Sequence, residues 1–160
     1  MTFLLATENP GKLREMRSLL ADYAVVSPNE LGLALDTDET GETFRENALL
    51  KACAACAASG LPAIADDSGL CVDALGGAPG VRSRRWGGEG LTDAELCAFL
   101  LRRMEACAAR GAKFVSHIVC AFPDGTLVEA AGECGGEILR EARGDGGFGY
   151  DPVFYLPEYG

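Results

Sequence analysis

Two adjacent carboxylates, Asp66 and Asp67, follow the apolar run Leu61-Pro62-Ala63-Ile64-Ala65 and precede Ser68-Gly69. Carboxylates at the end of a buried strand need a partner, because desolvating them bare is costly. A hard divalent cation is the partner that most naturally accepts them. The stretch Thr7-Glu8-Asn9-Pro10-Gly11-Lys12 supplies complementary chemistry. It lies between a short apolar strand and a helix, where backbone N–H groups and the helix dipole favour anions. Thr7 and Asn9 add polar side chains and Lys12 adds charge, which makes a phosphate cradle. Its glycine spacing is not that of a Walker A loop. Glu39 sits in an acidic loop that can fold back toward the same strand end. A cradle, a carboxylate pair and an acidic loop at the open ends of neighbouring strands suit a metal–polyphosphate complex. Phe148 and Tyr150, among glycines, can offer an aromatic face to a base.

Three other patterns compete. Gly144-Asp145-Gly146-Gly147-Phe148-Gly149 fits the dinucleotide-binding fingerprint, but Tyr150-Asp151-Pro152 follows where a helix is required. Asp36-Thr37-Asp38-Glu39-Thr40-Gly41 opens like a calcium loop, yet its twelfth position is Asn47 rather than Glu. The same Asp36-Thr37-Asp38-Glu39-Thr40 fits the D-x-D-x-T of haloacid-dehalogenase-like phosphatases, with Asp36 as nucleophile. That reading stands as the alternative enzyme. A catalytically silent nucleotide-binding or dimerisation module is the alternative outside catalysis. His117 is the only histidine and falls in the middle of a strand, so no Ser/His/Asp or Cys/His set assembles around it. Arg82, Arg84 and Arg85 before Trp86 suggest a substrate or subunit surface.

The elements that must position these groups follow from pattern. A strand over 2–6 leads through turn chemistry into a helix over 12–20, with Leu13, Met16, Leu19 and Leu20 inward. Val25-Val26 is a brief strand, and 27–42 is loop. Thr43-Phe44-Arg45-Glu46 is a capping box that opens a helix to about Ser59, closed by Gly60 and blocked beyond by Pro62. Residues 63–65 and 70–75 read as separate strands on either side of the aspartates. Thr92-Asp93-Ala94-Glu95 opens a second helix to about Ala109, with Leu96, Phe99, Leu100 and Met104 inward. A strand over 113–122 turns at Pro123-Asp124-Gly125-Thr126 into strands over 127–131 and 137–139, and 153–155 closes the set. Strands mixed with helices and a C-terminal meander give an α/β class with a mixed sheet.

At 160 residues, 48% hydrophobic and 24% charged, the chain is sized for one globular domain. Its net charge of −10 disfavours a nucleic-acid-polymer binder and requires that a phosphorylated substrate be met by a cation or by local lysines and arginines. Seven cysteines, odd in number and mostly in apolar segments, read as reduced thiols of a cytoplasmic protein. Cys53 and Cys56 lie in an Ala-rich helical run with no second pair to complete a zinc site. The N-terminal apolar run is too short for a signal peptide, and no segment is long enough to span a membrane.

Taken in order, five stretches resemble the inosine triphosphate pyrophosphatase family, the non-canonical purine NTP pyrophosphatases or XTP/dITP diphosphatases. They are Leu5-Ala6-Thr7-Glu8-Asn9-Pro10-Gly11-Lys12, Glu39-Thr40-Gly41-Glu42-Thr43-Phe44-Arg45-Glu46-Asn47-Ala48, Ala65-Asp66-Asp67-Ser68-Gly69-Leu70, Leu75-Gly76-Gly77-Ala78-Pro79-Gly80 and Gly146-Gly147-Phe148-Gly149-Tyr150-Asp151-Pro152. The resemblance implies an elongated mixed sheet flanked by helices, two lobes around a central cleft, and a homodimer. It implies hydrolysis of ITP, dITP and XTP to the monophosphate and pyrophosphate, cleansing the nucleotide pool. By position, it implies that residues 7–12 hold phosphate, that Glu39 and Asp67 ligate Mg2+, and that Asp67 also activates water. Ser68 would contact substrate, Phe148, Gly149, Tyr150 and Asp151 would line the nucleoside pocket, and Asp66 is a further carboxylate of the site. The family pattern continues with a lysine-bearing loop, a Ser-His-Arg motif and a last helix. The sequence ends at Tyr159-Gly160 ahead of these, so residues 1–160 are expected to form a single pyrophosphatase domain without that segment.

Overall fold

The structure, a computed structural model, describes residues 1–35 and 37–159. In chain order these form β1 (Thr2–Leu5), α1 (Pro10–Leu19), β2 (Ala24–Val26), α2 (Phe44–Ser59), β3 (Ala63–Val72), α3 (Asp93–Arg103), β4 (Gly111–Ala121), β5 (Leu127–Ile138) and β6 (Phe154–Tyr155), with short 3-10 turns between. The strands make one sheet in the order β2-β1-β3-β4-β5-β6. β1 runs parallel to β2 and to β3, with Leu4 opposite Ala63 and Leu5 opposite Ile64. β5 and β6 are antiparallel, so the sheet is mixed, as the sequence implies. The fingerprint glycines are followed by a 3-10 turn, Asp151–Val153, and not by the helix a dinucleotide fold needs. No helix among the described residues is long and apolar enough to cross a membrane.

The chain divides into two compact units. The first comprises Met1–Asp67 and Ser116–Gly132. Its core joins Leu4 of β1, Ala63 and Ala65 of β3 and Val119 of β4 to Ala48, Ala52 and Ala55 of α2. The alanines recur on one helical face, and their small side chains bring the α2 backbone close to the strands. Both ends of α2 form as its sequence dictates. Thr43 accepts from the Glu46 amide, Glu46 reaches back to the Thr43 amide, and Gly60 closes the helix at φ 68°. In α1, Leu13, Met16 and Leu20 are partly buried, whereas Leu19, expected inward, lies at the edge of that stripe and is 78% exposed.

The second unit comprises Ser68–Val115 and Glu133–Gly160. Leu96, Leu100 and Met104 pack against Leu70 and Val72 of β3, Ile138 of β5 and Val153. The helix stops at Arg103, short of the expected Ala109, and the chain passes into a turn at Met104. The Arg110 guanidinium donates to the carbonyls of Met104, Ile138 and Leu139.

Two segmentation expectations are overturned. Residues 63–65 and 70–75 are not separate strands: β3 runs unbroken for ten residues, and Asp66-Asp67-Ser68-Gly69 lies inside it. Likewise β5 is one strand of twelve residues, not two. Its glycines permit this. A Cβ on Gly136 would strike the Tyr155 carbonyl and the Phe154 ring, so only glycine lets β6 approach.

Candidate active site

The first unit gathers three of the sequence-predicted elements. At the start of α1, the Asn9 side-chain oxygen accepts from the amides of Gly11 (2.9 Å) and Lys12 (3.3 Å), and the Thr7 hydroxyl oxygen accepts from the Asn9 amide (3.2 Å). Pro10 occupies the first helical position, where its missing N–H costs nothing. The Leu13 amide returns to the Asn9 carbonyl. The helix therefore satisfies its own first turn, and the groups that remain to meet an anion are side chains: the Lys12 ammonium, the Asn9 amide nitrogen and the Thr7 hydroxyl proton. Glu8 and Pro10 are exposed, while Gly11 is buried.

Alternation along β3 separates the two aspartates. Ala63 and Ala65 pack on α2, and Asp67 continues their row. Its Oδ2 accepts from Asn47 Nδ2 at 3.2 Å and its Oδ1 lies 3.6 Å from the Lys51 ammonium, both on α2. Asp66 is out of phase and pairs instead with Lys12 of α1, Nζ to Oδ1 at 2.9 Å. Lys51 completes the arrangement by donating to the Asp66 carbonyl (2.7 Å) and to Glu39 Oε1 (2.9 Å). The acidic loop thus does fold back to the strand, brought there by a lysine.

Burial pushes the Asp67 carboxyl above its ordinary range, and the nearby Glu39 charge adds to this. Lys51, the Asn47 hydrogen bond and Lys12 oppose the shift without cancelling it. A buried carboxylate whose charge is under-compensated, with a second carboxylate reachable by the same cationic nitrogen, has the chemistry of a hard-cation site. Among the described residues no cluster of three or more His, Cys, Asp or Glu could cage a metal. Two carboxylates fit an ion that keeps waters and takes substrate phosphates as its other ligands, which is the Mg2+ pattern.

The second unit holds Ser68, partly buried on β3, and the glycine-rich loop. Gly147 has φ 75°, and a Cβ there would strike the Asp151 carboxylate. That carboxylate accepts from the Phe148 amide at 3.0 Å, and Asp93 at the start of α3 accepts from the Gly149 amide at 2.8 Å. Phe148 is partly buried and Asp151 exposed. Tyr150 is a core side chain, 4% exposed, whose hydroxyl donates to the Ser83 carbonyl at 2.6 Å. Burial pushes its phenol up to about 12. Its ring anchors the loop in the core.

Thr7, Asn9, Lys12, Glu39, Asp66 and Asp67 thus share the first unit, while Ser68 and residues 148–151 belong to the second. Asp36, the alternative nucleophile, lies outside the described residues. His117 sits on β4 with Nε2 3.7 Å from Glu129, a carboxylate already held by Nε and Nη2 of Arg45 at 2.6 Å. Trp86 packs edge-on against Phe99, with Arg103 over its ring. Sequence reasoning missed Lys51 and Asn47. Their four-residue spacing on a helix capped by Thr43 was the available signal, since it places both on one face.

The model of the Ham1 family matches residues 3–160. The dITP/XTP pyrophosphatase of Rhodopseudomonas palustris is 50% identical over 97% of this chain and 76% of its own length. A protein of the same name from Thermus thermophilus is 49% identical over the whole chain and 78% of its own length. Among solved structures, a HAM1 protein from Coxiella burnetii aligns over 99% of this chain and 83% of its own at 42% identity, with a TM-score of 0.89. The Staphylococcus aureus Ham1 protein aligns over the same shares at 40% identity, with a TM-score of 0.87.

Proposed function

Because the chain belongs to the Ham1 family, we propose that it hydrolyses non-canonical purine nucleoside triphosphates (ITP, dITP and XTP) to the monophosphate and pyrophosphate, cleansing the nucleotide pool. The names of its relatives supply the substrate class. The observation that carries the chemistry is the Lys51 ammonium set between Glu39 and Asp67, a cation already held between two carboxylates. One family match spanning residues 3–160 supports a single pyrophosphatase domain.

Glu39 and Asp67 would hold Mg2+, which screens phosphate charge so that a water can approach phosphorus. Asp67 is the proton acceptor. The Asn47 hydrogen bond and the Lys51 ammonium hold it in place for that role. As the water oxygen bonds to phosphorus its proton passes to Asp67, the α–β anhydride P–O bond breaks, and the electron pair leaves with pyrophosphate. Lys12 neutralises that leaving charge, exchanging its Asp66 partner for phosphate oxygen. Thr7 and Asn9 donate to phosphate from their hydroxyl and amide nitrogen. Glu8, Pro10 and Gly11 set the course of the loop that carries them. Ser68 contacts substrate. Phe148, Gly149 and Asp151 line the nucleoside side, with Tyr150 anchoring them. Asp66 is the counter-ion that stores Lys12 between turnovers.

The family resemblance supports a homodimer and a cytoplasmic location, which sedimentation analysis and fractionation would check. The deciding assay incubates the protein with ITP, XTP, dITP, GTP and ATP in the presence of Mg2+ and identifies the products. Monophosphate with pyrophosphate from the first three substrates supports the reading. Inorganic phosphate with nucleoside diphosphate, and no pyrophosphate, would sink it, and binding without turnover would favour the silent module.

A further inference from the structure

We infer that Asn47 is a positioning residue that fixes Glu39 and Asp67 as a cation-holding pair, an inference that rests on the metal reading above. Asn47 is 1% exposed and both ends of its amide are engaged. Nδ2 donates to Asp67 Oδ2 at 3.2 Å, and Oδ1 accepts from the Gly41 amide at 2.8 Å. An amide provides a donor and an acceptor on one short side chain, whereas a carboxylate in its place would offer Asp67 no proton and a hydrocarbon would offer neither bond. The two arms tie Asp67 on β3 to the residue two positions beyond Glu39.

Gly41 is built for this contact. Its backbone is not in the left-handed region, so conformational freedom is not its reason for being glycine. A Cβ there would lie 2.6 Å from Asn47 Oδ1 and 2.7 Å from Glu46 Cβ, so any side chain forces the loop off the amide. One turn along α2, Lys51 closes the other side by touching Glu39 and Asp67 Oδ1. The two oxygens of Asp67 are thereby assigned different work. Oδ2 accepts from Asn47, and Oδ1 lies on the Lys51 side, where Lys51 also reaches Glu39. Loss of Asn47 would release the Asp67 carboxylate to rotate and the Glu39 loop to drift, while leaving both ligands in the sequence.

The test is Mn2+ affinity without nucleotide, read from the electron paramagnetic resonance of free Mn2+, for the wild-type chain, Asn47→Ala, Gly41→Ala, the double variant and Asp67→Asn. Thermal unfolding reports whether each is folded. Loss of an outer partner of a metal ligand typically weakens binding by about 10–100-fold, so each single variant should lose roughly tenfold or more. The double variant should be no worse than the weaker single, because both break one linkage. The Mg2+ concentration for half-maximal activity should rise in step, with kcat at saturating Mg2+ largely restored. Folded Asn47→Ala with wild-type Mn2+ affinity, or additive losses, overturns the inference. If Asn47→Ala does not fold, Gly41→Ala decides, since it removes no buried polar group. Wild-type binding abolished by Asp67→Asn but unaltered by the other variants defeats the positioning role alone. No Asp67-dependent Mn2+ binding at all defeats the metal reading and this inference with it.

Discussion

Lys51 meets Asp67 at 3.6 Å, ammonium to Oδ1, while the same nitrogen donates to Glu39 and to the backbone carbonyl of Asp66. One lysine on α2 therefore holds the acidic loop, the strand backbone and the buried carboxylate together. It sits at 16% side-chain exposure, where stranding a partner charge costs more than at the surface.

Replacing Lys51 with Met keeps the stem and removes the charge. In chelator, the variant should lose about 2 kcal/mol of unfolding free energy, less than the figure for a fully buried broken pair because the site is partly open. Excess Mg2+ should return part of that loss by neutralising the same carboxylates. Urea unfolding with and without Mg2+ reads both effects, and an undiminished stability in chelator would contradict the bridging role.

Asp67→Asn is nearly isosteric and keeps an oxygen for the Asn47 bond, but it cannot take a proton from water. Its kcat for dITP should fall by at least ~100-fold, the usual scale for loss of a general base. Asp36→Asn should retain wild-type pyrophosphate release. The reverse pattern, with inorganic phosphate as product, would favour the dehalogenase-like reading.

Gly147 combines φ 75° with a Cβ direction aimed at the Asp151 carboxylate. Gly147→Ala should strain the loop by roughly 1–2 kcal/mol and release the Phe148 amide from Asp151. The expected outcome is a severalfold higher KM for dITP with a smaller change in kcat, measured by steady-state pyrophosphate release. An unaltered KM would remove the loop from the nucleoside side.

Arg45 donates to Glu129 through Nε and Nη2 and holds that carboxyl below its ordinary value of 4.5. A lowered folded pKa means stability present above the unfolded value and lost as pH falls through the folded one. The melting-temperature gap between wild type and Arg45→Ala should therefore be open at neutral pH and close as pH drops below about 4.5, the ordinary glutamate value. It should also shrink in high salt, because the pair is exposed. Melting curves across pH at two salt concentrations check this.

Local chemistry was the legible part of this chain. The Thr43 and Thr92 capping boxes and the Gly60 stop mark helix ends that the structure reproduces, because each depends on residues within a turn of one another. Continuity was not legible. Asp-Asp-Ser-Gly has the composition of a turn, yet β3 carries it straight through, since Lys12, Lys51 and Asn47 from two helices supply the partners that bare carboxylates in a strand lack. Lys51 itself was hidden because a lysine in an alanine-rich helix looks like a solvated side chain until the strand it faces is known. Tyr150 misled in the opposite sense. Its glycine neighbours suggest an open loop, whereas its ring fills the core beside Cys97 and Val153.

The mid-strand position of Asp66 and Asp67 makes β-pairing a guardian of chemical identity. Leu5 opposite Ile64 sets the phase of β3 against β1. A slip of one residue would invert every side chain on the strand. Asp66 would then face α2 and Asp67 would face Lys12, with composition, charge and sheet all conserved and the two carboxylates exchanged between the helices. The alanines at 63 and 65 forbid the slip, because it would press Ile64 onto the tightly packed small-residue face of α2. Residues that carry no charge thus determine which of two identical functional groups meets α2 and which meets α1.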